Sequence, residues 1–292
     1  MFPRPFDYVC PESVPDALGA LASDGGEARA LAGGQSLVPM MSLGLAAPER
    51  LVDIGRLPLA GAERSGATVR LGALTRHREL ERSAELAGMA PLAAEAARFI
   101  GNPRVRNRGT LGGSLSHADP ASELGTVVLA YGGRAIVTGT GGERAVAFDD
   151  FFHGFFATAV GEGELLTAVE LDVPGDGSGH GFHEVAGRAD DFAIAAASAV
   201  VTLDASGASC AEARLALAGV DDRPRRIAAG EELCRGAVLD GPLLERVAAA
   251  VADAVSPETD AFISASYRKR VAGACAARAL GAAWERAGGG AR

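Results

Sequence analysis

The 292-residue sequence predicts a mixed fold of helices and strands in about two domains, and three observations predict it. The chain is about twice the length of an average domain of about 150 residues. Helical and strand periodicities are interleaved along it rather than segregated. The segment Pro174-Gly175-Asp176-Gly177-Ser178-Gly179, rich in residues that favour turns and resist core packing, interrupts both patterns and marks a domain boundary.

Before that boundary, Pro15 after Ser13 opens a helix whose Ala17, Leu18 and Leu21 share one face, and Gly25-Gly26 stops it. Residues 28–31 read as a strand, 32–36 as a loop, 37–43 as a helical turn and 51–54 as a second strand, which together make a small α/β unit. The middle of the chain is mixed. Val69 with Leu71, Ala135 with Val137, and Val169, Leu171 and Val173 alternate as half-buried strands do, which favours antiparallel pairing. Leu92, Ala96, Phe99 and Ile100 recur at helical spacing, and that helix should end near Gly101-Asn102-Pro103. Beyond the boundary, strands at 200–203 and 213–217 flank a Ser206-Gly207 turn. A helical stripe follows at Leu243, Leu244, Val247, Ala248 and Val251, with a last Ala-rich helix at about 267–284.

A hydrophobic content of 48% with 22% charged residues excludes disordered and fibrous classes. The net charge of −9 argues against a nucleic-acid surface, which needs clustered Lys and Arg. The N-terminal residues lack a signal peptide's apolar core and no apolar run is long enough to cross a bilayer, so membrane insertion is not expected and a cytoplasmic location is the default. Cys10, Cys210, Cys234 and Cys275 are too widely spaced for a zinc or iron-sulfur site and read as buried or idle thiols.

Two glycine loops carry the chemistry. In Ala32-Gly33-Gly34-Gln35-Ser36, two missing side chains let backbone N–H groups approach an anion, and a helix starting at Leu37 would point its dipole at the same place. Arg108-Gly109-Thr110-Leu111-Gly112-Gly113-Ser114 repeats the pattern with hydroxyls and a cation nearby. Either pair alone reads as a tight turn. Neither has the spacing of a nucleotide-triphosphate loop or of a Rossmann turn. The alternating Arg104, Arg106 and Arg108 suit either an anion or partner surface or a solvated edge. His117 with Asp119 and His180 with His183 form no complete ligand set and read as local hydrogen-bonding groups, while His77 and His153 read as structural or exposed.

In order, Leu31-Ala32-Gly33-Gly34-Gln35-Ser36-Leu37-Val38-Pro39, Arg106-Asn107-Arg108-Gly109-Thr110-Leu111-Gly112-Gly113-Ser114, and Ala118-Asp119-Pro120-Ala121-Ser122-Glu123-Leu124 resemble the FAD-binding medium subunit of the xanthine dehydrogenase and carbon monoxide dehydrogenase family. Gly181-Phe182-His183-Glu184-Val185, Asp191-Phe192-Ala193-Ile194 and Tyr267-Arg268 extend the resemblance over nearly the whole chain. It implies a two-lobed FAD-binding domain at 1–174, with a small α/β lobe at about 1–55 and a larger α+β lobe with an antiparallel sheet at 56–174. A small α+β C-terminal domain follows at 180–286.

The same resemblance implies that the backbone from Leu31, Ala32, Gly33, Gly34, Gln35 and Ser36 to Leu37 holds the diphosphate, joined by Thr110, Gly112, Gly113 and Ser114. Ile100, Gly101 and Leu166 fall where the family lines the flavin, Glu123 where it commonly has an Asp on the sugar hydroxyls, and His183 where some relatives place Lys. Gln35 stands where some relatives have His and Ser114 where many have Asn. Gln35 cannot form a histidyl bond, so the FAD is expected to be noncovalent. The implied function is electron relay in a multi-subunit molybdenum hydroxylase, from a small iron-sulfur subunit through FAD to a terminal electron acceptor. Substrate is oxidised on a large molybdenum-cofactor subunit, and no catalytic base is assigned here. A self-contained FAD oxidase or dehydrogenase and a non-catalytic scaffold are the alternative readings.

Overall fold

The computed structural model describes residues 3–23 and 27–289. Its first lobe is a parallel sheet built from β1 (Asp7–Val9), α1 (Val14–Ala22), β2 (Ala28–Leu31), α2 (Leu37–Leu43) and β3 (Arg50–Asp53), with strand order β1-β3-β2. Ser13 starts α1: its hydroxyl accepts from the Asp16 amide at 3.2 Å, and Pro15 fills a first-turn position where no N–H is needed. The stripe Ala17, Leu18 and Leu21 then buries against Val52 and Ile54. The expected Gly25-Gly26 stop lies outside the described residues.

The second lobe starts with β4 (Ala62–Ser65) and β5 (Thr68–Gly72). Six short helices follow: α3 (His77–Arg82), α4 (Ala84–Met89), α5 (Pro91–Ala97), α6 (Pro103–Arg108), α7 (Leu111–His117) and α8 (Glu123–Tyr131). The chain then returns through β6 (Gly133–Gly139), β7 (Gly142–Ala147), a small hairpin β8 (Phe152–Gly154) and β9 (Ala157–Thr158), and β10 (Leu165–Asp172). The five long strands order as β4-β5-β10-β6-β7 with every neighbour antiparallel. The three segments that alternate in the sequence are thus β5, β6 and β10, with β10 central. The helix expected to run to residue 100 stops at Ala97, because Asn102 caps a new helix whose first residue is Pro103.

Beyond residue 174 the chain forms β11 (Ser178–Ala186), β12 (Ala193–Leu203), β13 (Cys210–Ala218) and β14 (Arg225–Arg226), antiparallel in that order, followed by α9 (Ala228–Cys234), α10 (Gly241–Ala254) and α11 (Ala265–Arg286). β12 is buried almost without alternation because both faces of this sheet are covered, α9–α11 on one side and α8 on the other. Its run of small residues allows that double packing. α8 is accordingly apolar all round and buried from Leu124 to its last residue. A buried Thr126–Ser198 hydroxyl pair at 2.7 Å fixes α8 to β12. Strand β11 begins inside the turn-rich segment, at Ser178. The fold is the mixed α+β one expected, with a parallel sheet, an antiparallel sheet and a C-terminal sheet packed in series.

Candidate functional site

A cleft of about 850 Å³ separates the first lobe from the second, with residues 190–192 of the C-terminal part on its rim. That volume lies within the range of about 300–1,000 Å³ typical of ligand and cofactor sites. Of the residues singled out in the sequence, Leu31, Ala32, Gly33, Gly34, Gln35, Ser36, Leu37, Ile100, Gly101, Thr110, Gly112, Gly113, Ser114, Glu123 and Leu166 all line it.

The two loops meet at the bottom of the cleft. A Cβ on Gly33 would strike the Arg108 carbonyl oxygen and come within 2.9 Å of the Gly109 Cα, so only glycine lets the first loop back onto the second. Gly34 has φ +72°, the left-handed conformation that turns the chain into α2. Across residues 33–37, no backbone amide donates to any acceptor among the described residues, and the Ser36 hydroxyl makes no cap bond. Five consecutive donors are therefore left free in a loop that lines the cleft, a backbone nest of the kind that binds anions. α2 has only seven residues, so the loop's own amides rather than a long helix dipole carry this character.

The second loop is built differently. Gly112 N–H donates to the Ala73 carbonyl at 2.8 Å, Leu111 N–H to Thr75 at 2.9 Å, and Gly109 accepts from His77 N–H at 3.1 Å, which zips the loop to the end of β5. Gly113 N–H donates to the Thr110 hydroxyl oxygen at 3.1 Å, the N-cap of α7. The amides of residues 111–113 are thus spent within the protein, and the loop offers the cleft the Thr110 residue and a bare backbone surface. A Cβ on Gly112 would sit 2.5 Å from that of Ala73, so the packing beneath the loop by itself requires glycine there.

Arg106 belongs to this scaffold. Its guanidinium is buried, bonded to Glu81 at 3.0 Å and to the Ile100 and Gly101 carbonyls at 3.0 and 2.8 Å, and so holds the turn that lines the cleft. His77 lies buried beneath the second loop. Burial, reinforced by Arg76 and Arg106, pushes its value down to about 4, which keeps the ring neutral. His117 and Asp119 do not bond each other: Asp119 accepts from the Ala121 amide and His117 packs on Phe156.

Glu123, at the start of α8, is pushed up to about 7, by burial first and by the charge of Asp119. Glu184 on β11 is pushed up to about 8, by burial and then by Glu123, and its Oε2 is buried with no hydrogen-bond partner. His183 is the one singled-out residue that does not reach the cleft; its Nε2 lies 2.9 Å from Arg278 of α11. No residue of β11 lines the cleft, and strand alternation sets His183 on the face towards α11. Gly179 and Gly181 press on the α11 backbone and His183 shares that face, whereas His180, Phe182 and Glu184 face Glu95, Phe99 and Glu123 of the second lobe. The sequence signal for Glu184 was present one residue away. Phe156, which does stand on the cleft wall, carried no comparable signal.

Among the described residues no group of three or more His, Cys, Asp and Glu side chains could hold a metal, and no helix is long and apolar enough to cross a membrane.

Comparison with known proteins agrees with this geometry. Residues 4–174 match the family described as the FAD binding domain in molybdopterin dehydrogenase, and residues 180–283 match the CO dehydrogenase flavoprotein C-terminal domain. The chain is 38% identical to the 6-hydroxypseudooxynicotine dehydrogenase complex subunit alpha of Paenarthrobacter nicotinovorans, over 98% of this chain and 97% of that one. It is 36% identical to the carbon monoxide dehydrogenase medium chain of Afipia carboxidovorans, over 98% and 99%. Its fold superposes on a chain of the carbon monoxide dehydrogenase of Hydrogenophaga pseudoflava with a TM-score of 0.94 at 35% identity, over 98% and 99% of the two chains. With both parts of the chain matched in order, it belongs to the family of FAD-binding medium subunits of molybdenum hydroxylase complexes.

Proposed function

We propose that residues 1–174 hold FAD noncovalently in the cleft, its diphosphate on the amides of residues 33–37. The row of donors without a protein acceptor carries this reading, because consecutive free backbone N–H groups in a loop that lines the cleft form a nest that an anion can fill. The Ser36 hydroxyl and the Thr110 side chain flank the anion. Ile100, Gly101 and Leu166 give the flavin an apolar wall, with Arg106 holding the first two in place from behind. Glu123 meets hydroxyl groups of the cofactor's sugar portion. The half-buried cleft excludes bulk water from the ring. FAD, when bound, supplies the ability to take electrons singly and release them in pairs; the protein's part is binding and orientation.

The chain's place in a complex follows from the same reading. Residues 180–286 form the C-terminal unit, and the electron donor is an iron-sulfur cluster of a small partner subunit. Organic substrate is oxidised on a large molybdenum-cofactor subunit, and a terminal acceptor empties the flavin.

The test is a visible-absorption titration of the purified chain with FAD. The expected outcome is stoichiometric binding with a perturbed flavin spectrum. No spectral change and no binding would remove the cofactor assignment. For the assembly, a fully active single chain free of iron and molybdenum would remove the partner assignment.

A further inference from the structure

We propose that Phe156, braced by His117, packs on a planar ring of the dinucleotide bound in the cleft, and so acts as a positioning residue for the cofactor. The proposal rests on the reading of the cleft as an FAD site. It starts from the backbone: Phe156 and Ala118 are the two non-glycine residues with positive φ among those described, both at +52°. They are joined, the Phe156 N–H donating to the Ala118 carbonyl at 3.3 Å, so the tip of the β8–β9 hairpin is pinned to the end of α7. A side chain in the left-handed region is strained, and a turn there ordinarily takes glycine or asparagine.

The fold gives the Phe156 ring little in return. Phe148, Phe151 and Phe152 anchor this segment and are at most 5% exposed, whereas Phe156 is 55% exposed. It carries both a strained backbone and an uncovered apolar ring. Strain of this kind persists where the surroundings require it, which is commonly at a ligand clamp. Its position supplies the reason: Phe156 and His117 both line the cleft, with ring centroids 5.0 Å apart and planes tilted by 38°. Together they offer an aromatic corner to whatever enters. Half-burial also holds the His117 ring below its ordinary value, so the corner is uncharged at neutral pH. Phe155, the adjacent residue, is 62% exposed but is not part of the cleft wall, which makes it an internal control.

The experiment is FAD titration of the full chain, read by flavin fluorescence and by circular dichroism of the flavin band, together with thermal melting. Phe156→Leu is expected to raise the FAD Kd by about five- to tenfold, the loss of one aromatic contact, and to alter the dichroism. Phe156→Tyr should restore both, and Phe155→Leu should leave both unchanged. Phe156→Gly removes the ring and relieves the backbone, so it should weaken FAD binding while melting no lower than wild type. Repeating the titration with ADP and with FMN identifies the ring: a loss confined to ADP assigns adenine, a loss confined to FMN assigns the isoalloxazine. If wild type binds FAD and the Phe156→Leu and Phe156→Gly variants bind it equally well, the proposal falls while the cofactor site stands. If wild type takes up no FAD, the cofactor reading falls and the proposal falls with it.

Discussion

The two glycine loops look alike in sequence, a Gly-Gly pair with a hydroxyl beside it, yet their amides have opposite fates. Among the described residues, the amides of residues 33–37 donate to no acceptor, while residues 111–113 donate all of theirs to Thr75, Ala73 and Thr110. One loop is kept open and the other is zipped shut, and the zipped loop is what the open one leans on through Gly33. The difference teaches that a glycine pair records only that side chains are excluded. What excludes them is an approaching ligand in one setting and a neighbouring strand end in another.

Substitutions at the two loops should separate these roles. Gly33→Ala puts a methyl group into the Arg108–Gly109 backbone, which cannot rotate away as a side chain can. Overpacking of this kind costs about 1–3 kcal/mol. Because the contact sets how the open loop sits, we expect the cost to fall on binding, as a loss of FAD affinity of about 10- to 100-fold, measured by titration. Gly112→Ala instead drives a methyl group against Ala73 and its carbonyl, beneath the loop. The same range of cost should appear as a melting temperature lower by about 2–8 °C. FAD affinity of the folded protein should change less than about threefold, since no unpartnered donor is disturbed. If Gly112→Ala instead abolished FAD binding at unchanged stability, the second loop would be a direct ligand of the diphosphate and the contrast would collapse.

Much of this was legible in the sequence, and the limits have physical causes. Strands β5, β6, β10 and β13 and helices α1, α10 and α11 follow from period and capping, since each is long enough or clearly enough bounded for its pattern to show, whereas of β12 only residues 200–203 read as strand because its buried run of small residues does not alternate. Helices α6 and α7 span six and seven residues, less than two full turns, so no periodicity marks them. Fifteen of the sixteen residues singled out lie on one cleft because the motifs are local and keep their neighbours together. His183 is set apart because β11 contributes nothing to the cleft wall; within β11 the face towards α11 and the face towards Glu123 differ by a single residue, and that phase is decided by packing rather than by local sequence. Which amides would be spent was likewise unreadable, because their acceptors, Ala73 and Thr75, are more than thirty residues away along the chain.

That phase has a consequence that can be measured where His183 and Glu184 diverge. Glu184 has a buried, unpartnered Oε2, and burial with the nearby charge of Glu123 raises it from 4.5 to about 8. A carboxyl raised in the folded state keeps its proton where the unfolded chain, titrating near 4.3, has lost it. The folded state then binds more protons, so stability falls as pH rises between about 4.5 and 8. Glu184→Gln cannot titrate. Its amide adds an offset that does not vary with pH, so the informative quantity is the slope of the difference between variant and wild type. In thermal melts without FAD, the variant should gain on wild type as pH rises from 5 to 8.5, by about 2–4 °C for each kcal/mol relieved. The parallel substitution His183→Gln, on the other face of the strand, should show no such gain across the upper half of that window, because burial and Arg278 hold His183 below its ordinary value and it is already neutral there. A flat difference for Glu184→Gln would mean that this carboxyl is solvated and that β11 does not present it to Glu123.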